Sequence, residues 1–363
     1  MRTVSKNRRT FLARTLVGAT ASMGIGCRAH AASARTLTMV TTWPRGAPGV
    51  GVNAQRFADR VTQLSGGRLQ VRFFAGGELV PPFEALDAVQ QGTADLVHSS
   101  PYYWVGKSKA LHYFTGVPFG MTAIEFCSWL YFGDGQALWE AAYEPFKVLP
   151  LYAGSSGTQA GGWFNREINT VADLKGLKFR IAGLGGEVMR RLGATPVMTA
   201  PAEIAPALAS GAVDGADWVG PWNDIAFGLH KFARFYYMPG FHEPGPSLEV
   251  IVSRRAYDKL SPELQAVLRC AAQATALETL SDFMFHNIET FALLEKKYGV
   301  RLRRFTPEVV TRLRQVSFQV LDELAASDAL TGRIHAAYMG FLDKAKAYAP
   351  HAEQGFLVMR ATA

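Results

Sequence analysis

Cysteine is scarce in this chain: Cys27, Cys127 and Cys270 are the only three among 363 residues. Cys127 and Cys270 lie in apolar helical contexts and read as buried thiols, not as a disulfide or metal pair, although an exported protein would permit a bridge. The histidines at 98, 112, 230 and 242 have no zinc-like spacing and read as structural. No serine or cysteine stands in a nucleophile elbow or beside an evident base, so the sequence offers no catalytic set. The glycine-rich turn AGLGGEVM also falls short of a dinucleotide fingerprint. After Gly183 and Gly185 the next required glycine position holds Val188, and no lysine completes a phosphate loop. What remains there is a helix N-terminus suited to a small anion.

An excess of one charge is missing too, once the N-terminus is set aside. NRRTFLARTLVGATASMGIGCRAHAASA has the twin arginines Arg8 and Arg9, then Phe11 and Leu12, a short apolar run and an Ala-x-Ala ending at Ala31. This is an export signal of the twin-arginine kind, residues 1–31, with cleavage expected after Ala31. The run from Thr15 to Gly26 is too short to span a bilayer. Cys27 has the small neighbours of a lipidation site, but Gly24 stands where a large aliphatic residue is wanted. Residues 1–31 hold six basic residues and no acidic one, so their removal takes the net charge from +8 to +2. The basic balance therefore belongs to the signal and does not argue for nucleic-acid binding. No later apolar run is long enough to cross a membrane, and the expected location is the periplasm.

The mature chain is 48% hydrophobic by whole-chain composition and long enough for two ordinary cores. LTMVTTW reads as a strand, and Ala54, Phe57, Val61 and Leu64 give a helical spacing ended by Gly66 and Gly67. RLQVRFFA, FEALDAVQQG and ADLVHSS continue as strand, helix and strand, a β-α-β-α-β run implying parallel strands. The same grammar returns in GLKFRIAG, GEVMRRLG, TPVM, PAEIAPALASG and AVDGADWVG. Two similarly built α/β lobes follow: 32–155 with about 247–260, and 156–246. Residues 112–152 are expected to carry the chain across the first lobe, and SLEVIVS to return it. From Ser261 and Pro262, an N-cap and first-turn pair, the region 261–363 is expected to be helical, spanning the lobes.

In GLKFRIAG, residues 176–183, Leu177, Phe179 and Ile181 alternate on one face and Arg180 takes the other, near the strand's C-terminal end. Parallel strands are usually covered on both sides, so a guanidinium there needs a partner. Open α/β sheets bind ligands beyond the carboxyl ends of their strands, where Asp217 and Trp218 also fall. Loops around Tyr102, Tyr103 and Glu243 would face the same cleft. Arginine's fork matches a carboxylate bidentately, so either an organic acid or a protein carboxylate answers Arg180.

The runs ELVPPFEALDAVQQGTADL, GGWFNREINTVADLKGLKFRIAG, ALASGAVDGADWVGP and FHEPGP, in this order, resemble the solute-binding subunits of tripartite ATP-independent periplasmic (TRAP) transporters, the DctP-like family. The resemblance covers essentially all of the mature chain and is closest to the branch that binds 2-oxo acids such as pyruvate. It implies an α/β, two-lobed periplasmic solute-binding protein fold with a ligand cleft between the lobes and long C-terminal helices. It implies a non-enzyme that closes over a small organic acid and hands it to the small and large TRAP membrane permease subunits. In that family the arginine of the GLKxR strand grips the substrate carboxylate, here Arg180. A bound sodium or calcium ion bridges substrate and protein, at positions matching Gln159, Asp217, the Trp218 carbonyl and Glu243. Tyr102, and less directly Tyr103, match residues lining the site; Gln159, Trp218 and Glu243 would also face the substrate. A homodimer formed by exchange of a C-terminal helix is implied too.

If Asp217, Glu243 and a monoanionic acid are all ionised, Arg180 alone cannot balance them, whereas an oxygen-liganded cation would. A 2-oxo or 2-hydroxy acid offers the adjacent oxygens that chelate such a cation. Asp217 stands where the pyruvate-binding relative has glutamate, shorter by about 1.5 Å of reach, which leaves open a water, another cation or a bulkier acid. Two alternatives remain: a periplasmic lyase-like enzyme acting on a carboxylic acid, and a ligand-sensing subunit of a membrane receptor.

Overall fold

The computed structural model describes residues 34–362; the export-signal reading and Cys27 lie outside the described residues. The chain first builds β1 (Arg35–Thr41), α1 (Val50–Leu64), β2 (Leu69–Phe74), α2 (Ala85–Gln91) and β3 (Leu96–Ser99). On β1, Leu37 and Met39 are fully buried while Thr36 and Thr38 are not, the alternation expected of a half-covered strand. α2 stops because Gly92 takes the left-handed conformation, at φ 87°.

Residues 112–152, expected to carry the chain across the first lobe, add helices and a strand to that lobe. They supply α3 (Ala123–Phe132), α4 (Gly135–Tyr143) and most of β4 (Val148–Ser155). Glu125 and Thr122 close α3 with a reciprocal capping box. Under these helices the Phe114 ring stacks between Trp129 and Trp139, at centroid distances of 5.8 and 5.3 Å. Truncating Trp139, which is wholly buried, would cost about 3–5 kcal/mol.

The second sheet grows from β5 (Gly162–Phe164), β6 (Lys178–Arg180), α5 (Gly183–Arg191), β7 (Thr195–Val197), α6 (Ile204–Ala209), β8 (Gly215–Ala216), α7 (Pro221–Ala226) and β9 (Phe235–Tyr237). β10 (Ser247–Ser253) returns to the first sheet, whose order is β2-β1-β3-β10-β4. α8 (Arg254–Tyr257), α9 (Pro262–Phe291) and α10 (Leu294–Tyr298) follow, then β11 (Arg301–Arg303), α11 (Pro307–Ala325), α12 (Ala329–Tyr348) and α13 (Glu353–Ala361). β11 corrects the expectation of a wholly helical C-terminal region: it is an edge strand of the second sheet, β11-β9-β5-β8-β6-β7. α9, α11 and α12 each start at a capping side chain, Ser261, Thr306 and Asp328, that accepts a first-turn amide.

The sheets are mixed, not purely parallel. β1 runs parallel to β2 and β3, and β6 parallel to β7 and β8. β10, however, is antiparallel to both its neighbours, and β5 to both of its own. Each of these two strands enters its sheet from the other lobe, which sets its direction. The two crossovers lie side by side: Gln159 N donates to Glu243 O at 3.1 Å and Gly240 N to Gln159 O at 2.8 Å. α9 packs against β4 and α1 of the first lobe and α7 of the second, a spine along both. Cys127 is half-buried and Cys270 is exposed, so the buried-thiol reading fails for Cys270, which faces outward on α9. Among the described residues no helix is long and apolar enough to cross a membrane.

Candidate functional site

Arg180 and Asp217 stand at the carboxyl ends of adjacent parallel strands, where Asp217 N donates to Arg180 O at 2.8 Å. The strand expected over AVDGADWVG shrinks to two residues because the chain turns away after Ala216, and residues 217–220 become a loop across the strand ends. Arg180 is only 1% exposed. Its Nη1 donates to the Asp217 carbonyl at 2.6 Å and lies 3.6 Å from Asp217 Oδ2. The guanidinium carbon sits 5.6 Å from the Trp218 ring centroid. Its Nε and Nη2 have no hydrogen-bond partner.

The remaining expected residues converge on this point. Gln159 and Glu243 come from the two crossovers and are buried. Gln159 Nε2 donates to Ser156 Oγ at 3.0 Å, which fixes the amide and leaves its Oε1 unpaired. Tyr102 and Tyr103 lie on the short turn after β3, their rings edge to face at 4.6 Å. Tyr102 reaches the second lobe, its Cβ 3.8 Å from where a Gly183 side chain would begin. Burial pushes the Tyr103 phenol up to about 12 and Tyr102 well above its ordinary value, so both stay neutral donors. The Trp218 indole packs 6.3 Å from Trp43, which is anchored by its Nε1–H to His98 Nδ1 at 2.9 Å.

His242 belongs to the site although its sequence reading was structural. Its Nε2 is 3.1 Å from Asp217 Oδ1, within ion-pairing distance but misaligned for a hydrogen bond, so both atoms stay unpaired. Burial pulls the imidazole down, but Asp217 and Glu243 outweigh it against Arg180, and the net shift is upward. Glu243 is pushed up by burial first and by Asp217 next, with His242 and Arg180 opposing. Its place beside Glu243 in FHEPGP was the available signal for His242. For Trp43 the signal was its position just past the end of β1.

A cavity of about 20 Å³ between the lobes is lined by Trp43, Val50, Ser100, Ser156, Gln159 and Trp218. A roomier groove of about 480 Å³ lies on the outer face of α1, but Arg45, Arg56 and Arg60 there already hold carboxylates. Unsatisfied polar atoms of Arg180, Gln159, Asp217 and His242 gather in the inner site. Buried polar groups are almost always paired, so the free guanidinium donors and unpaired oxygens of Gln159 and Asp217 point to a ligand with both acceptor and cationic character. No cluster of three His, Cys, Asp or Glu side chains gathers at metal-binding distance among the described residues. Two carboxylates and an amide oxygen are instead oxygen donors of the chemical kind that a hard cation such as sodium or calcium takes.

Two α/β lobes linked by paired crossovers, with buried polar residues converging where they meet, define a solute-binding protein of the periplasmic type. Residues 39–328 match bacterial extracellular solute-binding protein, family 7 (DctP), and the chain belongs to this family. It is 42% identical over 303 residues to a monocarboxylate 2-oxoacid-binding periplasmic protein of Nostoc sp., covering 84% of this chain and 83% of that one. A TRAP periplasmic solute-binding protein from Pseudoalteromonas atlantica, solved with sodium and pyruvate, is 36% identical with a TM-score of 0.87, covering 89% of this chain and 98% of that one. One from Colwellia psychrerythraea, with calcium and pyruvate, is 35% identical at the same TM-score, covering 89% and 99%. A third, from Bordetella bronchiseptica, has copurified calcium and picolinate in a mixed-occupancy dimer; it is 31% identical with a TM-score of 0.88, covering 91% and 98%.

Proposed function

We propose that this chain is the periplasmic receptor of a TRAP transporter for a small 2-oxo or 2-hydroxy monocarboxylate. It holds the acid through Arg180 and through a sodium or calcium ion, and hands it to the membrane permease subunits. The observation that carries this reading is the buried guanidinium of Arg180, with Nε and Nη2 free beside two carboxylates. Those two donors form the fork that a carboxylate accepts in parallel. Gln159 Oε1, Asp217, the Trp218 carbonyl and Glu243 hold the cation. The cation supplies the positive charge that one arginine lacks against two acids and an anionic ligand. Tyr102 and Tyr103 offer neutral hydroxyls to the ligand's second oxygen, and Trp218 with Trp43 walls the site. Capture is by lobe closure, with no covalent step.

A homodimer is part of the same reading. α13 has no buried residue, and Phe356, Leu357, Val358 and Met359 are all exposed on it. α9 exposes Leu277, Met284, Phe285 and Ile288 at helical spacing. The α13 of a second copy covering such a stripe would bury both apolar surfaces.

The test is thermal unfolding of the metal-stripped mature protein against 2-oxo, 2-hydroxy and plain carboxylic acids, each with and without sodium and calcium. Stabilisation by a 2-oxo or 2-hydroxy acid only when a cation is present is the expected result. Equal stabilisation by plain acids without metal would remove the cation from the site.

A further inference from the structure

We propose that Asn223 is a latch between the lobes, a positioning residue that governs ligand retention without touching the ligand. Asn223 lies on α7, immediately after the loop that carries Asp217 and Trp218, and is wholly buried. Its Nδ2 donates to the Pro48 carbonyl at 2.7 Å, across 175 residues of sequence and from the second lobe to the first. Its Oδ1 has no partner, so this cross-lobe bond is the one hydrogen bond its side chain makes among the described residues. Burying an amide for a single bond contributes little to folding, where an apolar side chain of similar size would serve as well. The bond becomes useful when the two ends can part.

Both ends are firmly mounted. Pro48 precedes α1, and its carbonyl also accepts Val50 N at 2.8 Å. The next residue, Gly49, has φ +65°, and a side chain there would start 2.3 Å from the Phe283 ring of α9. Its carbonyl accepts Asn53 Nδ2 at 2.6 Å. On the other side Asp224, the residue after Asn223, takes four hydrogen bonds. Its Oδ1 accepts Val219 N and Gly220 N at 3.0 and 3.1 Å, and its Oδ2 accepts Trp163 Nε1 and Tyr236 Oη, both at 2.9 Å. Two consecutive side chains on one short helix thus tie the ligand loop to its own sheet and that sheet's lobe to the opposite one. Displacing the 217–220 loop moves α7, and α7 sets whether Asn223 meets Pro48. Ligand position and lobe closure are coupled through this helix.

On this proposal the bond forms whenever the lobes close, with or without ligand, so its loss should speed opening and leave the encounter rate unchanged. A single neutral hydrogen bond corresponds to roughly a tenfold change. Asn223→Ala leaves the Pro48 carbonyl with Val50 N as donor and creates no unpaired group. Stopped-flow tryptophan fluorescence, with Trp43 and Trp218 beside the cavity, should show ligand release accelerated about tenfold in Asn223→Ala and association within twofold of wild type. Asn223→Asp, which sets an acceptor against a carbonyl, should release at least as fast. The ligand is the acid that most stabilises the wild type in the unfolding panel. Release within twofold of wild type in both variants overturns the latch. The inference rests on lobe closure, not on the identity of the acid, and amide hydrogen exchange over residues 46–53 in ligand-free protein provides a readout without ligand. Faster exchange there in Asn223→Ala, with an unchanged unfolding midpoint, supports the latch even if no 2-oxo or 2-hydroxy acid binds; unchanged exchange in that case overturns it.

Discussion

Arg180→Ala is the substitution with the sharpest consequence for ligand binding. The side chain already spends Nη1 on the Asp217 carbonyl at 2.6 Å, which leaves Nε and Nη2 free for the proposed ligand carboxylate. Each hydrogen bond to a charged group is worth about 1.5–3 kcal/mol, so two give about 3–6 kcal/mol. Truncating one member of a buried, hydrogen-bonded charge pair costs about 2–5 kcal/mol, and the two ranges overlap at about 3–5. Affinity should fall by roughly a hundredfold to several thousandfold. Arg180→Lys retains the charge but not the planar fork and should fall between the two. The assay is isothermal calorimetry with pyruvate in sodium or calcium buffer, alongside circular dichroism to show that the variant is folded. Alanine-variant affinity within about fivefold of wild type would refute the role of Arg180, because no other described cation at the site could replace both donors.

Dialysis into chelator and sodium-free buffer should weaken binding of the 2-oxo acid at least tenfold by calorimetry, with recovery on adding back one cation. Deleting residues 353–363 should convert a dimer into a monomer in light scattering while leaving affinity within a few-fold. Glu249, wholly buried on β10, is pushed up to about 8 by burial, against the hydrogen bonds its Oε1 accepts from Tyr143 and Trp104 at 2.7 and 3.0 Å. Its folded pKa exceeds the unfolded value, so the native state binds the extra proton and stability from this group falls as pH rises from about 4.5 towards 8. Denaturant titrations at pH 5 and pH 8.5 should show that slope reduced in Glu249→Gln, and an identical slope would remove Glu249 as its source.

Alternation made the strands legible where one face is buried, as along β1, and SLEVIVS is β10 residue for residue. Strand-end position led to Arg180, Asp217 and Trp218 and to the loops of Tyr102, Tyr103 and Glu243, and the family motifs added Gln159. β4 was missed because VLPLYAGS is buried at every position and has a proline, so no period-two signal survives. β11 was missed for the opposite reason: Arg-Leu-Arg at a sheet edge reads as a solvated loop until its partner β9 is known. For His242 the neighbouring Glu243 was the one sequence signal, because its role depends on Asp217, which is distant in sequence and 3.1 Å away in space. Both sheets read as parallel from their local β-α-β grammar; the antiparallel members come from chain exchange between lobes, which no local window records.

Gln159 and Glu243 lie on the very segments by which the chain passes between lobes, and those segments are hydrogen-bonded to each other. On the proposed reading the ligand is gripped near the fulcrum, not at the tips. A fraction of an ångström of tightening there swings the distant rims through a much longer arc, as a short lever moves a long one. Residues far from the fulcrum can change to suit a docking partner, while the grip that triggers the swing keeps the same few atoms.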